Sequence, residues 1–207
     1  MNLSISDLKI LQLYRRDLAY HNAFHPLELL ELNETGKTRG IDIPQYRPVW
    51  LDPDIYDPTA LTTAIIAHDV VYNPGAPQGE NEQASFDLWC KISRLNPGVL
   101  LGPLIMATAT HNPYTVNVPD RARPLVEHMC DLDMSVLGST REEFDRNSAN
   151  VAQEFMTLGY TAEQCRAGRL KFFESVLKQD RIFFTSQFYD NLEAKARQNM
   201  IEDLNAG

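Results

Sequence analysis

The sequence predicts an all-α fold, an irregular helical bundle in which residues 1–207 form one domain. Three observations predict it. Ser4-x-x-Asp7, Thr140-x-x-Glu143 and Thr161-x-x-Gln164 each resemble a capping box, in which a hydroxyl and a side chain three residues on satisfy each other's backbone N–H groups at a helix start. The polar–apolar alternation that marks strands is almost absent. Apolar residues make up 43% of the 207, enough for one sizeable core, with no low-complexity run and no internal repeat.

Taken in order, the first amphipathic stretch covers 6–34 and is expected to break near 20–26. Helices are then expected at 58–72, through the apolar run Leu61–Ala67, at 80–95, at 98–111, and at 122–137 through Leu125–Leu137. The two later capping boxes open 140–158 and 161–179, and 187–204 closes the chain. Prolines 44, 48, 53 and 58 keep 36–58 out of regular structure, and Pro74 and Pro77 do the same for 73–79. A loop as long as 36–58 is either a functional lid or a surface excursion anchored by Trp50 and Tyr56. Phe172, Phe173, Phe183, Phe184, Phe188 and Tyr189 are expected in the core, with a homo-oligomer interface as the alternative.

Charge narrows the partners. A net charge of −9 opposes binding of long nucleic acid, which needs clustered Lys and Arg. A small phosphorylated molecule is compatible with it, because one cation and a few arginines reverse the local field. No segment approaches the roughly 18 apolar residues of a membrane span, and the amino terminus lacks a secretory signal's basic start and apolar run. A soluble, cytoplasmic protein is expected. Cys90, Cys130 and Cys165 show neither paired nor zinc-type spacing and read as free thiols.

Charged groups inside apolar helices are costly unless paired or metal-bound. His68-Asp69 ends the Leu61–Ala67 run, Asp131-Leu132-Asp133 lies inside Leu125–Leu137, and Tyr20-His21-Asn22-Ala23-Phe24-His25 precedes both. His25, His68, Asp69 and Asp133 together offer a mixed nitrogen and oxygen set suited to one manganese, iron, cobalt, nickel or zinc ion, and less to magnesium. Asp131 and Asp133 are about 200° apart on a helix, so one of them is the ligand; Asp133 is preferred, with Asp131 orienting a histidine or an arginine. His21, Glu82 and His111 are candidates to complete the site. Glu82 is a general acid or base, or a carboxylate favoured by the helix start; His111 contacts phosphate, binds a second metal, or caps its helix. His128 falls off the Asp133 face and is expected at the surface.

The ordered set His25, His68-Asp69, Asp133 resembles the H…HD…D signature of the HD superfamily of metal-dependent phosphohydrolases. Further segments, YHNAFH, AHDVVYNP, NEQAS, DLDMSVLGS, Gly168-Arg169-Leu170 and Glu193 to Asn199, resemble one branch of predicted HD hydrolases over nearly the whole chain. The resemblance implies an HD-type helical domain, a divalent ion on those four residues, and hydrolysis of a small phosphoester, such as a nucleotide, by water that the ion activates. It also implies an arginine before Glu154 and a tyrosine after it, where this chain has Gln153 and Phe155. Arg16, Arg121, Arg123 and Arg169 could substitute, although surface roles are the expectation for each. A catalytically silent HD module that binds a nucleotide or a protein is the alternative. A diiron oxygenase ranks below both, since only His111 and His128 could serve a second ion.

Overall fold

The computed structural model describes residues 3–48 and 58–206, so Trp50 and Tyr56 lie outside the described residues. The helices among them are α1 (Ile5–Leu11), α2 (Phe24–Thr35), α3 (Pro58–Ala67), α4 (Glu80–Ser93), α5 (Leu101–Thr108), α6 (Arg123–Met134), α7 (Arg141–Thr157), α8 (Ala162–Leu177) and α9 (Ser186–Asn205). Short 3-10 turns cover Pro113–Thr115, Asp120–Ala122 and Ser135–Gly138. The fold is all-α. Among the described residues its one departure is a hairpin of two-residue strands, β1 (Lys37–Thr38) against β2 (Ile41–Asp42), too short for any alternation to announce it.

Two of the three capping boxes form. Ser4 Oγ accepts from Asp7 N and the Asp7 carboxylate accepts from Ser4 N; Thr161 and Gln164 do the same. At Thr140 the box fails, because Glu143 turns to Arg146 while Thr140 N donates to Gly40 O, 2.9 Å away. The first helix also stops earlier than expected. It ends at Leu11, and near the end of the irregular 12–23 segment Tyr20 N and His21 N donate to the side chain of Glu154 instead of to a preceding carbonyl.

Helix α3 is buried nearly all round, through Leu61, Ala64, Ile65, Ile66 and Ala67, and it packs on α1, α2 and α5. In the second half, α9 lies along the Ser135–Gly138 turn. Gly138 permits that approach, since a Cβ there would stand 2.6 Å from Leu192 Cβ. Glu193 accepts from Ile182 N and Phe183 N, and Asn199 Nδ2 donates to Leu137 O and Ser139 O. The Glu193 to Asn199 segment thus fastens the carboxyl-terminal helix. Phe173, Phe183 and Phe188 are core, whereas Phe172 and Tyr189 are each more than a third exposed. No helix of the described residues is long and apolar enough to cross a membrane.

His128 corrects the surface expectation: its exposure is 0%. Helix α6 is buried on almost every face, so leaving the Asp133 side carries His128 into a second buried junction, where Nε2 donates to Asn33 Oδ1 at 2.8 Å. Desolvation lowers its pKa from 6.5 to about 4. A lowered histidine pKa contributes stability that is present above pH 6.5 and is lost as pH falls through 4. The expected loss is about 3 kcal/mol. Urea unfolding of wild type and His128→Gln at pH 7 and pH 4 checks it: the variant should lose that share of the pH dependence.

Candidate metal centre

Three elements in mutual contact build the centre. His25 stands in the first turn of α2, His68 and Asp69 follow the last residue of α3, and Asp133 is in the last turn of α6; α2, α3 and α6 pack pairwise. His68 N still donates to Ala64 O, so the helical direction carries the pair to the end of a buried helix. Tyr14 Oη donates to Ile66 O and holds that end in place.

One ligand atom from each of His25, His68, Asp69 and Asp133 lies within 4.8 Å of all the others. His68 Nε2 is 3.0 Å from Asp69 Oδ2 and 3.5 Å from Asp133 Oδ1; His25 Nε2 is 3.6 and 3.3 Å from the same two oxygens. The two Nε2 atoms face each other at 3.3 Å. Donor atoms about 2.1 Å from a shared ion stand about 3.0 Å apart at right angles and about 3.4 Å apart in a tetrahedron, so the spacing fits a cation. The tautomer fits too: His68 Nδ1 donates to Ile65 O at 2.9 Å, which leaves the Nε2 lone pair for the centre when the ring is neutral. The group could hold a metal ion.

Burial opposes charge on His68, Asp69 and Asp133, yet opposite charges outweigh it. His68 rises well above its ordinary value, Asp69 falls to about 2 and Asp133 falls well below the carboxylate range. Two buried carboxylates that demand compensating charge are what a divalent cation satisfies.

The other expected site residues surround this core. His21 stacks on Tyr72, with centroids 3.4 Å apart, donates from Nδ1 to Glu154 Oε2 at 2.7 Å, and holds Nε2 4.0 Å from Asp69 Oδ2. His111 lies past the end of α5 at φ 50, a left-handed turn that brings Nε2 to 3.2 Å from Asp133 Oδ2. Asp133 therefore faces the two buried histidines with one oxygen and His111 with the other. Glu82 is half-buried in the first turn of α4, and burial, then Asp69, raises its pKa. Its neighbours in the NEQAS segment fix the turn after the HD pair: Asn81 exchanges two hydrogen bonds with the Asn73 backbone and Ser85 Oγ accepts from Val71 N. A cavity of about 530 Å³ opens on the group, with His21, Asp69, Glu82, His111 and Asp133 on its wall.

Asp131 does not orient a histidine or an arginine. It points away, accepting from Phe184 N, Thr185 N and Thr185 Oγ1 at 2.6–2.8 Å. Among the arginines, Arg123 is committed to the carbonyls of Pro113 and Val116. The sequence reading missed Glu154, 1% exposed, which holds both the backbone and the ring of His21. The only signal was its place beside an expected arginine. Compared with family models, curated proteins and solved structures, the chain matches none.

Proposed function

We propose that this chain is a metal-dependent hydrolase of a small phosphoester, of the HD type its motifs resemble. The observation that carries the reading is that both aspartates of a buried two-histidine, two-aspartate group lie on the wall of a substrate-sized cavity. Bound there, a divalent ion supplies Lewis-acid polarisation of a phosphoryl oxygen and makes water more acidic. The protein's own groups divide the remaining work. His25, His68, Asp69 and Asp133 would hold the ion. Glu82, with its pKa raised and its side chain on the cavity wall, accepts the proton that attacking water loses. His111, held by Asp133, donates to a phosphoryl oxygen or to the departing alcohol.

Elemental analysis of protein purified without chelator, followed by a phosphoester panel with the metal found, tests this. About one ion per chain is expected, lost in His68→Ala together with phosphate release. Glu82→Gln should keep the ion and lose turnover about 100-fold or more. An ion bound with no phosphoester turned over would leave a silent binding module. No ion after reconstitution with manganese, iron or nickel would sink the proposal.

A further inference from the structure

The wall of the cavity opposite in character to the acidic centre contains one guanidinium. Arg169, on α8, is the one arginine or lysine among the described residues lining this cavity. Its Nε and one terminal nitrogen are buried without an acceptor, and no carboxylate among the described residues lies within ion-pair distance of it. Buried guanidinium nitrogens are ordinarily paired, because leaving them bare forfeits their hydration. Arg169 is held by packing: its Cζ stands 4.6 Å from the centre of the Phe173 ring and 5.2 Å from that of Phe144, against the side of a pair of rings that stack on each other. Desolvation pulls its pKa down to about 10, which keeps it charged at neutral pH.

A second buried donor shares the wall. The Asn147 side chain lies beside the Tyr20 hydroxyl, and both residues line the cavity. Gln153, where the resemblance led us to expect an arginine, is exposed and off the cavity wall, so an arginine at that position would not occupy the place that Arg169 holds. Phe155, Tyr160 and Phe172 also line this cavity.

We propose that Arg169 is the oxyanion-binding residue of this cavity, and that the ligand class is a phosphate ester with an apolar or aromatic body, the oxyanion on the Arg169 fork and the body against Phe155, Tyr160 and Phe172. The identification of this ligand as a substrate rests on the hydrolase reading; the binding itself does not. A planar fork with two free donors on one edge matches two oxygens of a phosphate, and the aromatic wall adds contact area that inorganic phosphate cannot use.

Phenyl phosphate, inorganic phosphate and phenol serve as probes, titrated calorimetrically into wild type stripped of metal, into the metal-loaded protein, and into Arg169→Met and Arg169→Lys. Metal-free wild type should bind phenyl phosphate at least tenfold more tightly than inorganic phosphate, and phenol not measurably. Arg169→Met, which keeps an unbranched stem against the two rings, should weaken phenyl phosphate roughly 10- to 100-fold while retaining the ion at wild-type stoichiometry. Arg169→Lys keeps the charge without the fork and should fall between. Without ligand, Arg169→Met should melt about 2–4 °C higher than wild type, since it removes an unpaired buried charge. Unchanged phenyl phosphate affinity in Arg169→Met overturns the proposal and leaves the metal centre untouched. Binding that requires the ion and is equal in wild type and Arg169→Met overturns it as well, by placing the phosphate on the metal. Arg169-dependent binding in a protein that takes up no ion would instead uphold this proposal and remove the hydrolase reading.

Discussion

Glu154→Ala is expected to lower the melting temperature by roughly 10 °C and to weaken binding of a divalent ion ten- to a hundredfold, although Glu154 is not in the four-residue group. The carboxylate is 1% exposed and accepts from Tyr20 N at 2.6 Å, His21 N at 2.8 Å and His21 Nδ1 at 2.7 Å. Removing it strands two backbone donors and a ring donor in the interior, at a cost of about 3–5 kcal/mol. The same three bonds set where the irregular 12–23 segment ends, and His25 follows His21 by little more than one helical turn. A shift of His21 is therefore a shift of a ligand. Glu154→Gln separates the two consequences. Its carbonyl oxygen can still accept from Tyr20 N and His21 N, so most of the stability should remain. Its amide cannot accept the His21 Nδ1 proton, so His21 must change tautomer and present Nε2–H to Asp69, 4.0 Å away in the wild type. Calorimetric melting and metal titration of the pair read both effects; equal metal affinity in all three proteins would show that Glu154 braces the fold and not the centre.

The four-residue group was legible because its residue types are anomalous where they stand. A histidine and aspartates in apolar helices demand a partner, and the number of partners one ion can serve is small. Glu154 was illegible by the same logic. A glutamate on the amphipathic α7 looks like an ordinary solvent-facing residue, and what buries it is the backbone of a segment more than 130 residues away. His128 failed in the opposite direction: helical angle separated it from Asp133, but angle alone says nothing of which faces are covered, and α6 is covered nearly everywhere. Arg169 was visible as part of a motif, yet only the packing of Phe144 and Phe173 shows that its charge is held without a partner.

Asp133→Ala and Asp131→Ala are expected to fail in opposite ways, although the two residues are separated by one position. Asp133 has one oxygen 3.3 Å from His25 Nε2 and the other 3.2 Å from His111 Nε2. Its loss should reduce metal content at least 100-fold and, if the proposed hydrolase function holds, abolish phosphoester turnover, while the melting temperature stays within a few degrees, because the histidines left behind can release their protons and become neutral. Asp131 faces the other way. With 0% exposure it ties the loop before α9 through three hydrogen bonds that it accepts, and burial lifts its carboxyl to about 7 against their pull. Asp131→Ala leaves Phe184 N, Thr185 N and Thr185 Oγ1 without an acceptor, a cost of about 3 kcal/mol, while the chains that do fold keep their ion. Asp131→Asn is no rescue, since its amide sets a donor against a donor. Metal content per folded chain and thermal melting of the two alanine variants distinguish these outcomes. Metal retained by Asp133→Ala and lost by Asp131→Ala at unchanged stability would transfer the ligand role to Asp131 and require α6 to sit nearly half a turn from its observed rotation.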